Sequence, residues 1–263
     1  MGETVVDAVV LAGGDGVVLD PACRFKGLLP IAGKPMVEWV LDALNAAEMV
    51  SEVAVVVPTA ENLGPWADRA AKIVVSDRPF IDNMLAGLSA FRSDKPVLLV
   101  TGDIPALTPA AVDDFVRRSL STGAHATYPL IREADMLEQF PGSDRTFVRL
   151  ADGKVTGGNM MLVDPVLVER NREIGGKVFA TRKNPVAMAR VIGMRFVVRL
   201  LLGRLTVAEV EEKLGELIGG RGAAVYTSEA SIGADVDKPV DVIVAERILF
   251  LRSAGRNSGF RAE

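Results

Sequence analysis

The sequence predicts an α/β fold, a three-layer αβα sandwich around a mostly parallel central sheet, on three observations. Apolar runs of strand length recur at Val5–Leu11, Val53–Val57, Ile73–Val75 and Val97–Val100. Stretches with helical spacing separate them, and such alternation builds right-handed βαβ units. Hydrophobic residues make up 49% of the chain but aromatics only 5%, so aliphatic side chains must fill the interior, as in parallel strands buried on both faces.

The elements follow in order. Val5–Leu11 breaks into Ala12-Gly13-Gly14-Asp15-Gly16, and Met36–Ala47 then carries an apolar stripe at helical spacing. A second stripe covers Asp82–Phe91. Pro109 opens a helix through Leu120, because Thr108 can cap it and proline fits the first turn. A strand over Ala124–Leu130 precedes polar loops across 131–160, with a glycine turn at Thr156-Gly157-Gly158-Asn159 before the apolar Met160–Val163. Residues 184–218 read as helical with breaks near Gly193, Gly203 and Thr206. Ala223–Tyr226 is a late strand, Lys238–Leu251 a C-terminal helix, and Ser253–Glu263 a frayed tail. Residues 1–252 are expected to form one domain, with a ligand half over about 1–110 and a second half over about 111–252.

Composition excludes several classes. A net charge of −4 disfavours a general nucleic-acid binder. With one cysteine, Cys23, and one histidine, His125, neither an intramolecular disulfide nor a Cys/His zinc site is available. Glu3 and Asp7 sit where a signal peptide would be basic, so a cytoplasmic protein is expected. Phe196–Leu202 is interrupted by Arg199 and bounded by Arg195 and Arg204, too short for a bilayer span. It reads as an amphipathic or buried helix, compatible with a homodimer face or an anionic membrane surface.

In an open parallel sheet, ligands gather at strand C-termini. Both Gly13-Gly14 and Thr101-Gly102-Asp103 follow strands directly, which puts them on one edge. A glycine turn exposes backbone N–H groups with no Cβ in the way, which suits a phosphate and equally a plain tight turn. The glycines match neither G-x-x-x-x-G-K-[ST] nor G-x-G-x-x-G. Asp103 ends a buried strand, where an aspartate can ligate a cation or merely cap the next turn. Asp235 and Asp237, two apart on an extended segment, point the same way and could converge on one cation, the plainer alternative being a helix N-cap at Asp237 or nearby; the expectation is that both roles are present, one carboxylate on the cation and one organising the turn.

The run LAGGDG, then Lys26-Gly27-Leu28-Leu29-Pro30-Ile31 and Gly33-Lys34-Pro35-Met36, resembles the N-terminal signature of the sugar-phosphate and molybdenum-cofactor nucleotidyltransferases, LAGG-x-G-x-R followed by K-x-L-L-P-I-x-G-K-P. The Gly-Asp-x-Pro segment at Asp103 and the late Asp235-Val236-Asp237-Lys238-Pro239-Val240-Asp241 are similar to acidic segments of those enzymes. The resemblance implies a Rossmann-like, GT-A-like sheet and transfer of a nucleoside monophosphate from an NTP to a small phosphorylated acceptor, releasing pyrophosphate. It implies Mg2+ on Asp103, Asp235 and Asp237, with Lys26, Asp103 and Asp237 catalytic. Nucleotide contacts would come from Leu11, Ala12, Gly13, Gly14, Gly16, Arg24, Lys26 and Gly102. Asn83, near the start of a helix ending in Gly-Leu, would read the base or cap the helix. Acceptor contacts would come from Arg145, Gly158, Asn159, Arg182 and Lys183, on runs resembling R-T-F-V-R-L, T-G-G-N and A-R-K-N-P in a poorly characterised branch. All of these are open to a plainer reading as solvated loop residues.

One departure stands out. The signature's arginine after the glycines is Val18 here, and Arg24 is the nearest substitute. Two other readings therefore compete, a silent nucleotide sensor and a nucleotide-sugar glycosyltransferase, the latter disfavoured because its Asp-x-Asp belongs mid-chain.

Overall fold

The computed structural model describes residues 4–21, 23–91, 95–181 and 184–258. Its strands are β1 (Val6–Leu11), β2 (Pro30–Ile31), β3 (Lys34–Pro35), β4 (Val50–Val57), β5 (Lys72–Val75), β6 (Val97–Thr101), β7 (Ala126–Arg132), β8 (Val148–Leu150), β9 (Gly153–Gly157), β10 (Met160–Val163) and β11 (Gly222–Thr227). Its helices are α1 (Met36–Asn45), α2 (Phe80–Leu88), α3 (Pro109–Thr122), α4 (Glu133–Gln139), α5 (Pro165–Arg170), α6 (Arg172–Thr181), α7 (Pro185–Ile192), α8 (Met194–Leu201), α9 (Val207–Ile218) and α10 (Pro239–Ser258).

Nine strands form one continuous sheet in the order β5-β4-β1-β6-β10-β7-β9-β8, with β11 beside β7. The first half is parallel, β1 lying between β4 and β6. Strand β10 then runs antiparallel to both β6 and β7, and β8 and β9 form an antiparallel hairpin. Side chains alternate across β1: Val6, Ala8 and Val10 join the core under α1, whereas Val9 packs against α2 on the other face. This alternation makes the three layers.

Helix starts follow the local chemistry expected of them. Thr108 Oγ1 accepts from Ala111 N–H with Pro109 in the first turn. Gly193 and Gly203, both at positive φ, separate α7, α8 and α9, and Thr206 opens α9 through a capping box with Glu209.

Three stretches differ from expectation. Residues 131–160 hold helix α4 and the β8–β9 hairpin rather than polar loops alone. Helices α5 and α6 fill 165–181, where the broken apolar period gave no signal. Helix α10 continues to Ser258, since extending a formed helix costs far less than starting one.

Candidate active site

Leu11 pairs with Thr101 at the adjoining ends of β1 and β6, so the glycine turn and Asp103 lie side by side. Ala12, buried between them, anchors the turn: its N–H donates to Val56 O at 3.0 Å, and Gly102 N–H donates to Leu11 O at 3.0 Å. Gly102 and Gly27 both approach Ala12 closely, and a Cβ on either would stand 3.2 Å from its backbone. Past Gly14, at φ +101°, the chain folds back on residues 24–26. Gly16 N–H donates to Arg24 O, and Lys26 N–H to Gly14 O. A Cβ on Gly16 would lie 2.4 Å from Cys23 O, so glycine is a steric requirement there.

These bonds narrow the expected phosphate cradle. The N–H groups of Ala12, Gly16 and Gly102 are taken by the fold, while those of Gly13 and Gly14 have no partner among the described residues. Leu11 contributes strand and carbonyl rather than an open donor.

Lys26, 8% exposed, sits in a short 3-10 turn. Its Nζ donates to Asp103 Oδ2 at 2.5 Å and also to Asp237 Oδ1. Burial opposes its charge, but Asp103 and Asp237 prevail and hold its pKa above the ordinary value. Asp103 is oriented by Thr101, whose Oγ1 donates to Asp103 Oδ1 at 2.5 Å, and Asp103 O accepts from Val236 N–H at 3.0 Å. That last bond ties the late acidic segment to the end of β6.

Asp235 is nearly enclosed. Arg145 Nη1 donates to its Oδ1, and Asn159 Nδ2 donates to the same oxygen at 3.0 Å. Burial pushes its carboxyl up to about 6, against the pull of Arg145, with repulsion from Asp103 and Asp237 adding to the rise. At Asp237 burial acts the same way, but Lys26 overrides it and lowers the pKa. Asp103, Asp235 and Asp237 each offer an oxygen within 4.8 Å of the others. Three hard oxygen donors crowded so closely, with like charges already straining Asp235, fit a divalent cation.

The turn before α10 is organised by neither of those aspartates. Asp241, buried in the first turn, accepts from Asp237 N–H and Lys238 N–H at 3.1 and 2.8 Å. The capping alternative for Asp237 is thereby corrected: Asp241 caps, and the Asp237 side chain faces Lys26. The spacing Lys238-Pro239-Val240-Asp241, an acid at the third position of a proline-led helix, carried that signal.

Other expected site residues sort clearly. Arg145 and Asn159 both reach Asp235 and both also line the cavity beside it. Asn159 is also held by its main chain, which bonds Thr101 and Ile232. Gly158 is fixed by packing, since a Cβ would lie 2.6 Å from Ile232 and 2.7 Å from Pro129. Beside them opens a cavity of about 310 Å3, lined among others by Tyr128, Arg145, Thr156, Asn159, Asp237 and Lys238. Thr156 opens the T-G-G-N run, whereas nothing in the sequence distinguishes Tyr128 from other strand residues.

Asn83 serves its own loop: its Oδ1 accepts from Ser76 Oγ and Arg78 N–H, and its Nδ2 donates to Arg78 O. It lies inside the first turns of α2, whose N-cap is Pro79 and carries no side-chain cap, so its bonds tie the helix to the preceding loop rather than cap it. Val18 is 75% exposed, and the Arg24 guanidinium lies 5.3 Å from the Phe25 ring centroid. Arg182 and Lys183 lie outside the described residues. His125 Nδ1 accepts from Arg221 N–H, and burial, aided by the Asp20 charge, pushes the Cys23 thiol up. Among the described residues no helix is long and apolar enough to cross a membrane.

The profile of the MobA-like NTP transferase domain matches residues 8–212, spanning the glycine turn, Lys26, Asp103, Arg145 and Asn159. The chain belongs to this family. This MobA-like domain is 31% identical over 142 residues to a 2-C-methyl-D-erythritol 4-phosphate cytidylyltransferase of Nocardia farcinica, covering 51% of this chain and 59% of that protein. It is 32% identical over 112 residues to a probable molybdenum cofactor guanylyltransferase of Thermococcus kodakarensis, covering 41% of this chain and 51% of that one. The MobA-like domain thus spans little more than half the length of either curated relative. A hypothetical transferase of Thermus thermophilus superposes with a TM-score of 0.78 at 33% identity, over 91% of this chain and all of that one.

Proposed function

We propose that this MobA-like domain is a nucleotidyltransferase that joins the nucleoside monophosphate of an NTP to a small phosphorylated acceptor and releases pyrophosphate. The observation that carries the reading is the convergence of Asp103, Asp235 and Asp237 with Lys26 beside the open N–H groups of Gly13 and Gly14. An oxygen of the acceptor phosphate attacks the α-phosphorus; the bond from that phosphorus to the oxygen bridging to the β-phosphate breaks, and pyrophosphate leaves with the electron pair.

The chain's part is to gather anions and spread their charge. Gly13 and Gly14 donate backbone N–H bonds to the triphosphate. Lys26, lying between the glycine turn and the acidic trio, neutralises charge near the α-phosphate. Arg145 and Asn159 hold Asp235 in place, as Thr101 holds Asp103 and Asp241 holds the backbone of Asp237. These three carboxylates would bind Mg2+, which when present supplies Lewis-acid neutralisation of phosphate oxygens. The acceptor would enter the 310 Å3 cavity beside Arg145 and Lys238. Residues 1–110 would then hold the nucleotide and 111–252 the acceptor.

Pyrophosphate release measured with each of the four NTPs, Mg2+ and a panel of sugar, alditol and cofactor phosphates tests the reading. Release in one or more mixtures is expected. NTP binding without release in every mixture favours the silent sensor, the reading to which the exposed Val18 lends its weight.

A further inference from the structure

Residues 182–208 contain six cations and no acid, in a chain of net charge −4. Within this stretch lies α8, whose Val197 is buried while Phe196 and Leu200 pack with Leu150, Val155 and Leu205 beside the β8–β9 hairpin. Its opposite side is also apolar. Met194, Val198 and Leu201, spaced at i, i+4 and i+7, are 60%, 44% and 69% exposed, and Leu202 continues the strip at 58%. Arg190, Arg195 and Arg204, all exposed, make no side-chain ion pair or hydrogen bond among the described residues. Of the described cations in this stretch, Arg199 alone is engaged through its side chain, with Glu209 and Arg204 O.

We propose that the α7–α8 surface docks this protein onto an anionic lipid bilayer. Four exposed aliphatic side chains on one helical strip, next to unpaired arginines, form an interfacial helix face: the apolar strip enters the acyl boundary and the guanidinium groups meet lipid phosphates. Charge decides among the occupants. A second copy seated two-fold on this face would set like charges against each other. Nucleic acid would match the arginines but leave the aliphatic strip against phosphates and water. The inference does not rest on nucleotidyl transfer, since it concerns a surface apart from the acidic trio.

The test is cosedimentation of the full chain with vesicles of phosphatidylcholine alone and of phosphatidylcholine with phosphatidylglycerol in equal parts, at low and high salt. Binding to the anionic vesicles only, weakened by salt, is expected. An arginine near an anionic surface is worth about a fivefold factor, so the pair R195Q and R204Q should lower partitioning about 25-fold. The pair L201Q and L202Q should lower it as well, with the far-ultraviolet circular dichroism of both variants unchanged. The proposal is overturned by failure to bind anionic vesicles, by equal binding to both vesicle types, or by full binding of both variants. It also fails if the strip instead mediates concentration-dependent dimerisation without vesicle binding, or if an oligonucleotide competes the protein off the vesicles through the same arginines.

Discussion

Lys26→Met should destabilise the protein without metal and at the same time increase its stabilisation by magnesium. Methionine keeps the length of the buried stem but removes the charge that touches Asp103 and Asp237. Carboxylates with oxygens within 4.8 Å repel by about 3.5 kcal/mol at an effective dielectric of 20, and by about 0.9 kcal/mol in water. Asp103 is 18% exposed but Asp237 is 59% exposed, so screening places the net loss at about 1–3 kcal/mol. At about 2–4 °C per kcal/mol for a chain of this size, the melting temperature falls by several degrees. Magnesium would occupy the same oxygens that Lys26 now holds, so the wild-type lysine competes with it. The stabilisation RT ln(1 + [Mg]/Kd) should therefore be larger in the variant at any given concentration. Thermal melts of both proteins across a magnesium titration measure it, with calcium and sodium as controls. Equal magnesium shifts in the two proteins, or a variant as stable as wild type without metal, would refute the reasoning. Catalysis should respond oppositely, falling by about two to three orders of magnitude, as for a single electrostatic donor lost from a transition state.

Asp103→Asn should abolish metal-dependent pyrophosphate release while the circular dichroism spectrum stays native; a full-rate variant removes Asp103 from the machinery. Gly87→Ala would place a methyl group 2.3 Å from Val9 and 2.9 Å from Val56, so α2 must lift off β1 and β4 at a cost of about 1–3 kcal/mol, read by denaturant unfolding. Glu209 lies below its ordinary pKa of 4.5, chiefly through its hydrogen bond from Arg199 and also through Thr206 N–H. A depressed carboxyl stabilises above its unfolded value and loses that contribution as pH falls through the folded one. The stability advantage of wild type over Glu209→Gln should accordingly be full near neutrality and shrink below about pH 4.5, followed by melts across that range.

Legible from residue order alone are the layered α/β class, the parallel β1, β4, β5 and β6 core, and the breaks at Gly193, Gly203 and Thr206. These depend on apolar period and on glycine or capping chemistry, which are local. It also marked Lys26, Asp103, Asp235 and Asp237, although not their partners. Which groups touch was decided only by tertiary structure. Asp103 meets Asp237 because Val236 N–H bonds Asp103 O, a contact across more than a hundred residues with no periodic trace. Arg145 and Asn159 proved to hold Asp235, and Asn83 its own loop, because a polar side chain takes whichever partner the fold brings near. The antiparallel insertion of β10 was equally hidden, since strand direction within a sheet follows from how connections cross it rather than from side-chain pattern.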